Sequence, residues 1–150
     1  MTPDEGAGAP RSRFDGPGQS PGFLLWRVTL TWQRAMRAAL APHDLTHVQF
    51  VLLATTWWLA SHEGPPSQQK VAEQAGTDAM MTSQVLRKLE DQGLITREPD
   101  PHDARARRLA VTDAGRGRLK GALKDVERVD ADFFAGHDDL VRGLVSRAKP

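Results

Sequence analysis

Met80, Ser83, Gln84 and Arg87, with Lys88 beside them, are the side chains of this sequence best equipped to read another molecule. At about 100° per residue they share one helical face, opposite Met81, Val85 and Leu89, with Thr82 and Leu86 on the shoulder. The amide can pair bidentately with adenine, the guanidinium with guanine and the hydroxyl with several base edges, while a thioether lies against a thymine methyl. Each good bidentate pair discriminates by about 1–3 kcal/mol. A plain amphipathic helix with a solvated polar face would show the same pattern, so a second feature has to decide. Between Ala104 and Arg118 stand Arg105, Arg107, Arg108, Arg116 and Arg118 against the single acid Asp113, in a chain whose net charge is only +1. A local basic run beside such a helix suits the phosphate backbone and the negative potential of the minor groove.

Other chemistries find no residues to carry them. The chain has no cysteine, which removes disulfides, thiolate metal sites and thiol redox sensing, and fits a reducing cytoplasm. No nucleophile elbow, metal triad or phosphate loop is present, so neither enzyme activity nor a cofactor is expected. His43 and His47 are four apart beside Asp44. Pro42 ends one helix and Thr46 caps the next, which puts the two histidines on different elements, and no metal site is assigned. No run approaches the roughly 20 apolar residues of a membrane span, and the acidic start Met1-Thr-Pro-Asp-Glu5 is no signal peptide; a membrane partner is not expected.

The elements that must position these groups run from Ser67 to Thr112. Ser67 caps a short helix packed through Val71, Ala72 and Ala75, which Gly76 ends. Thr77 and Asp78 start a second helix that closes at Gly93. Two short helices around a Gly-containing turn form a helix-turn-helix. Leu94–Arg97 and Arg107–Val111 read as strands of a hairpin whose tip, 98–106, is kept from regular pairing by Pro99 and Pro101 and turned by Asp100 and Asp103.

Asp100-Pro-His-Asp-Ala-Arg-Ala-Arg-Arg-Leu-Ala-Val-Thr-Asp-Ala-Gly115 resembles the wing of the MarR (multiple antibiotic resistance regulator) family, with Asp103, Arg105, Leu109, Thr112 and Gly115 on the characteristic positions. Leu45-Thr-His-Val-Gln-Phe50 and Leu89-Glu-Asp-Gln-Gly-Leu-Ile95 resemble two further family motifs in the right order, and the likeness covers about residues 22–148. The resemblance implies that Arg105 enters the minor groove and that Asp103 braces the wing through Arg97 or Arg107; a plain turn residue is the alternative for Asp103. Ala104 stands where the family often has Arg, and Arg87 where it often has Asp. The DNA-contacting set is thus Ser67, Gln68, Met80, Thr82, Ser83, Gln84, Arg87, Lys88, Arg105 and Arg107, with Asp103 and Arg97 as wing support.

Outside this unit, residues 1–21 form a tail rich in Gly and Pro, and 22–150 form a single domain. A helix from Phe23 to Ala41, about 28 Å long, carries a stripe of Leu25, Val28, Trp32, Ala35, Met36 and Ala39 and is too long for one small lobe to cover. Thr46 and Gln49 make a capping box for a helix to about Ser61, apolar nearly all round and so central. Thr112 caps a helix through about Asp132, and a last short helix carries Leu140, Val141, Leu144 and Val145. In the resembled family the first and last helices build the dimer, which makes 22–45 and 112–150 dimerisation segments around a DNA-binding lobe, 46–111. Trp26, with Trp32, reads first as an interface or core aromatic. Family members bind small aromatic effectors near Trp57 and Trp58, one of which is expected in the core; Trp26, His47, Trp57 and Trp58 are the candidate ligand-binding residues.

The expected fold is mainly α with a small β-wing, a winged helix-turn-helix flanked by long dimerisation helices. The expected function is a cytoplasmic homodimeric repressor on a pseudo-palindromic double-stranded DNA operator, released by a small aromatic effector. A winged-helix protein-interaction module and a metal-responsive regulator are the alternatives.

Overall fold

Four short polar side chains set the starts of four helices. Thr46 and Gln49 exchange hydrogen bonds, Gln49 N to Thr46 Oγ1 at 3.2 Å and Thr46 N to Gln49 Oε1 at 3.0 Å, and open α2, His47–His62. Ser67 accepts from Lys70 N and opens α3, Gln68–Ala75; Asp78 accepts from Met81 N and opens α4, Ala79–Asp91. Thr112 accepts from Gly115 N and opens α5, Asp113–Phe133. Such caps each contribute about 1 kcal/mol by satisfying amides the helix leaves free. The remaining elements are α1, Pro21–Leu40, strands β1, Ile95–Pro99, and β2, Arg107–Val111, and α6, Asp138–Val145. The computed structural model describes residues 8–148. Mainly helical with one two-stranded antiparallel sheet, this is the expected fold class.

The chain separates into two compact units, residues 1–33 and 34–150, with the division inside α1. In the first, Pro17–Gln19 form a 3-10 turn and α1 already begins at Pro21. Part of the expected tail is therefore structured: Ser20 Oγ accepts from Phe23 N, and a proline suits the first helical position because its missing N–H has no partner there. The expectation for residues 1–7 lies outside the described residues. Phe23, Leu24, Leu25, Trp26 and Val28 of this unit are exposed.

In the second unit α2 is the hub, packed against α3, α4, β2 and α5. It buries Phe50, Leu52, Leu53 and Leu59, each removal from water contributing about 1.5–3 kcal/mol. The buried hydroxyl of Thr56 donates to the Leu52 carbonyl at 2.7 Å, which spares it a lost partner. Leu86 and Leu89 from α4, Ile95 and Leu109 from the sheet and Leu119 and Ala122 from α5 complete the core. Gly76, at φ +71°, supplies the left-handed residue that turns α3 into α4.

The sheet pairs Ile95 with Val111 and Pro99 with Arg107, so β1 runs further than expected. Pro99 does not end the pairing because the next ladder bond runs from Asp100 N to the Ala106 carbonyl, which leaves the proline at a pair that requires no donor. Gly115 fixes this sheet against α5: a Cβ there would overlap the Leu94 carbonyl oxygen and lie 2.8 Å from Val111 Cγ1. Among the described residues, no helix is long and apolar enough to cross a membrane.

Candidate nucleic-acid interface

α4 presents two unlike sides. Val85, Leu86 and Leu89 are buried, while Gln84, Arg87 and Lys88 are exposed and Met80 is 72% exposed. Met81, expected on the buried side, is exposed. Ser83 is half-buried. Thr82, expected among the DNA-contacting side chains, is not on the exposed face: it is fully buried, and its Oγ1 donates to the Asp78 carbonyl at 2.7 Å and meets Thr77 Oγ1 at 2.7 Å. A hydroxyl returned to its own helix start serves the turn and cannot reach a base. Ser67 is likewise engaged as the α3 cap, with its hydroxyl accepting from Lys70 N at 3.2 Å, and Gln68 beside it is half-buried.

At the wing, Arg105 and Arg107 are exposed, and among the described residues neither carries an ion pair. They add two unneutralised guanidiniums to the exposed cations Arg87 and Lys88 of α4. The expected brace is different in kind. Asp103 is exposed and turns the chain, its Oδ1 accepting from Arg105 N at 2.9 Å and its carbonyl from Ala106 N at 3.0 Å. The brace is Asp100, whose Oδ2 lies 2.5 Å from Arg108 Nε and whose Oδ1 accepts from His102 N at 2.7 Å. Arg108 in turn donates from Nη1 to the Pro65 carbonyl at 3.1 Å, tying the wing to the loop before α3. The His102 N–H holds the Asp100 carboxyl below its ordinary pKa, with burial opposing and Arg108 assisting. Both Asp100 and Asp103 stand two residues before the amide they accept, a turn signal present twice in the sequence; only the fold shows which one meets an arginine.

Arg97, on β1, makes its contacts with the helices. Its Nη1 donates to Gln68 Oε1 at 3.1 Å, its Nη2 reaches the Ser83 carbonyl at 3.5 Å, and its Nε is 3.8 Å from Glu90 Oε2.

Trp57, 37% exposed, lines a groove of about 500 Å³ with Arg116, Leu119, Lys120, Leu123, Lys124 and Glu127 of α5. Neither Trp of the adjacent pair is in the core, because α2 turns both outward: Trp58 is 42% exposed and stacks on His62 at 4.5 Å. Trp26 is exposed on α1. His47 is half-buried; burial lowers its pKa, Asp130 acts to raise it and Arg37 to lower it. Sequence reading missed a link between His43 and α5: His43 Nε2 lies 2.6 Å from Asp125 Oδ2, and a Cβ at Gly121 would come within 3.3 Å of the imidazole. The partners are 82 residues apart, and no local signal joins them. The His43 hydrogen bond lowers the Asp125 pKa, opposed by burial and assisted by Arg128.

Known proteins share this arrangement. The family described as MarR matches residues 45–106. The HTH-type transcriptional regulator YdcH of Bacillus subtilis is 46% identical over 83% of this chain and 84% of its own. The HTH-type transcriptional repressor Rv2887 of Mycobacterium tuberculosis is 32% identical over 76% of this chain and 79% of its own. Among solved structures, the transcriptional repressor CouR bound to a 23-mer DNA duplex aligns with a TM-score of 0.80 at 26% identity, over 93% of this chain and 100% of that one. With a helix-turn-helix, an arginine-tipped wing and these relatives, the chain belongs to the MarR family of winged-helix, DNA-binding transcriptional regulators.

Proposed function

We propose that this protein is a homodimeric repressor that reads a pseudo-palindromic operator and is released by a small aromatic anion. The observation that carries the reading is one set of side chains without ion pairs among the described residues: Arg87 and Lys88 on α4, beside Gln84, and Arg105 and Arg107 on the wing. Gln84 and Arg87 would read base edges in the major groove with Met80 and Ser83 beside them, and Arg105 would enter the minor groove. Two copies would place their α4 helices in successive major grooves, about 34 Å apart. A second copy is supported by apolar side chains left exposed, Leu24 and Trp26 on α1 and Leu140 and Leu144 on α6. Residues 22–45 and 112–150 would then serve dimerisation, and 46–111 DNA binding. Repression is supported by the relatives Rv2887 and CouR, both named transcriptional repressors.

The Trp57 groove supports an effector of mixed chemistry. Trp57, Leu119 and Leu123 offer an apolar wall, Lys120 and Lys124 positive charge, and the volume of about 500 Å³ suits a drug-sized ligand. Such a ligand would act by binding one spacing of the two α4 helices better than another.

The test is selection from random duplexes by the purified protein, with binding repeated at two salt concentrations. An enriched inverted repeat with half-sites about one helical turn apart supports the reading. Sequence-blind binding by a folded dimer overturns it and favours a protein-interaction module.

A further inference from the structure

The contacts of Arg97 determine which end of an amide faces outward. The guanidinium only donates, and the amide of Gln68 has a single acceptor atom. With Arg97 Nη1 3.1 Å from Gln68 Oε1, the amide oxygen is held inward and its NH2 group turned away from the arginine. The neighbouring positive charge polarises that NH2 and strengthens it as a donor. Gln68 is the first residue of α3, behind the Ser67 cap, and it remains partly exposed. In helix-turn-helix proteins the first helix crosses the DNA backbone, and a helix start favours anions. The same guanidinium reaches the Ser83 carbonyl of α4 at 3.5 Å, and its Nε is buried without a hydrogen-bond partner, 3.8 Å from Glu90. The guanidinium thus links β1 to the start of α3 and to α4 at once.

We infer that Arg97 is a positioning residue for DNA binding: it presents the Gln68 amide as a donor to a phosphate oxygen and holds α3 in register with α4. This rests on the DNA-reading function proposed above. It differs from two separate contacts in a measurable way, because Arg97 acts only through the Gln68 amide, so the two losses should not add.

The experiment uses the full chain and the duplex that it enriches. Affinity, its salt dependence and the thermal midpoint are measured for the parent protein, Gln68→Ala, Arg97→Lys and the double variant. Each single variant is expected to bind about tenfold more weakly, the size of one hydrogen bond to a charged group. The double variant should bind no more weakly than either single, and the slope of affinity against salt should not change. The loss should be uniform across duplexes, as a phosphate contact requires. Losses that add, or a Gln68→Ala protein that binds as the parent does, overturn the inference. An Arg97→Lys protein with a lowered midpoint and unchanged affinity also overturns it, since Arg97 would then serve only the fold. A parent protein that enriches no duplex removes the DNA-reading function itself, an outcome distinct from a parent that binds with variants that match it.

Discussion

The stretch from Ser67 to Thr112 and the short helix α6 use their apolar residues in opposite ways. In the first, Val71, Leu86, Leu89, Ile95 and Leu109 are buried, and what faces water is mostly polar or charged, with Gln84, Arg87, Lys88, Arg105 and Arg107 among the exposed side chains. In α6 nothing is buried: Leu140, Val141, Leu144 and Val145 stand exposed on a helix that carries Asp138, Asp139 and Arg142. On the function proposed above, the first surface would be completed by a polyanion and the second by an apolar partner. Sign and polarity of the exposed side chains, more than overall charge, separate the two tasks in a chain of net charge +1.

The sharpest way to break the first region is Gly115→Ala. The added methyl meets backbone, and the Leu94 carbonyl cannot yield without moving the wing, so a loss of about 3 kcal/mol in urea unfolding is expected. Breaking the second region should leave the first folded. Leu140→Glu with Leu144→Glu should weaken self-association about 100-fold, read by sedimentation, with helicity retained; an unchanged dimer would exclude α6 from the interface. Arg105→Ala should weaken operator binding about tenfold and lower the salt slope by about 0.9, the signature of one lost phosphate-region cation. Gln84→Ala sharpens the contrast within one surface: the salt slope should stay, and preference should relax at one or two base pairs by about 1–3 kcal/mol in competition binding. The smallest effect concerns acid. Asp100 has its pKa lowered in the folded state, so its stabilisation is complete above the ordinary carboxylate pKa of about 4 and is lost as pH falls through the folded value. Asp100→Asn should flatten the acid limb of the stability curve, measured by urea midpoints between pH 6 and pH 3.

Local signals carried most of the architecture. The caps at Thr46, Ser67, Asp78 and Thr112 and the turn at Gly76 are each stated by a residue and its neighbours within five positions, and all were legible. What escaped depends on the third dimension. Periodicity put Thr82 near the edge of a face; only the position of Thr77 shows where its hydroxyl goes. Asp100 and Asp103 share the same turn chemistry, and Arg108 reaches the first because the strands pair through Pro99. The spacing of Trp57 and Trp58 fixed their angle but not what α5 would cover. His43 and Asp125 meet across most of the chain.

The outer edge of β2 is not left open. Leu109 N donates to the Pro66 carbonyl at 2.9 Å, and Ser67 bridges Arg108, so the residues that introduce α3 also close the sheet. A two-stranded ribbon with a free edge would be marginal and would offer a template to other chains. Closed in this way, the wing cannot fray by itself: releasing its outer strand requires the start of α3 to lift away as well. Amide exchange at Leu109 would therefore report the opening of α3 and the wing as one cooperative unit, which couples the rigidity of the DNA-reading surface to a single proline carbonyl.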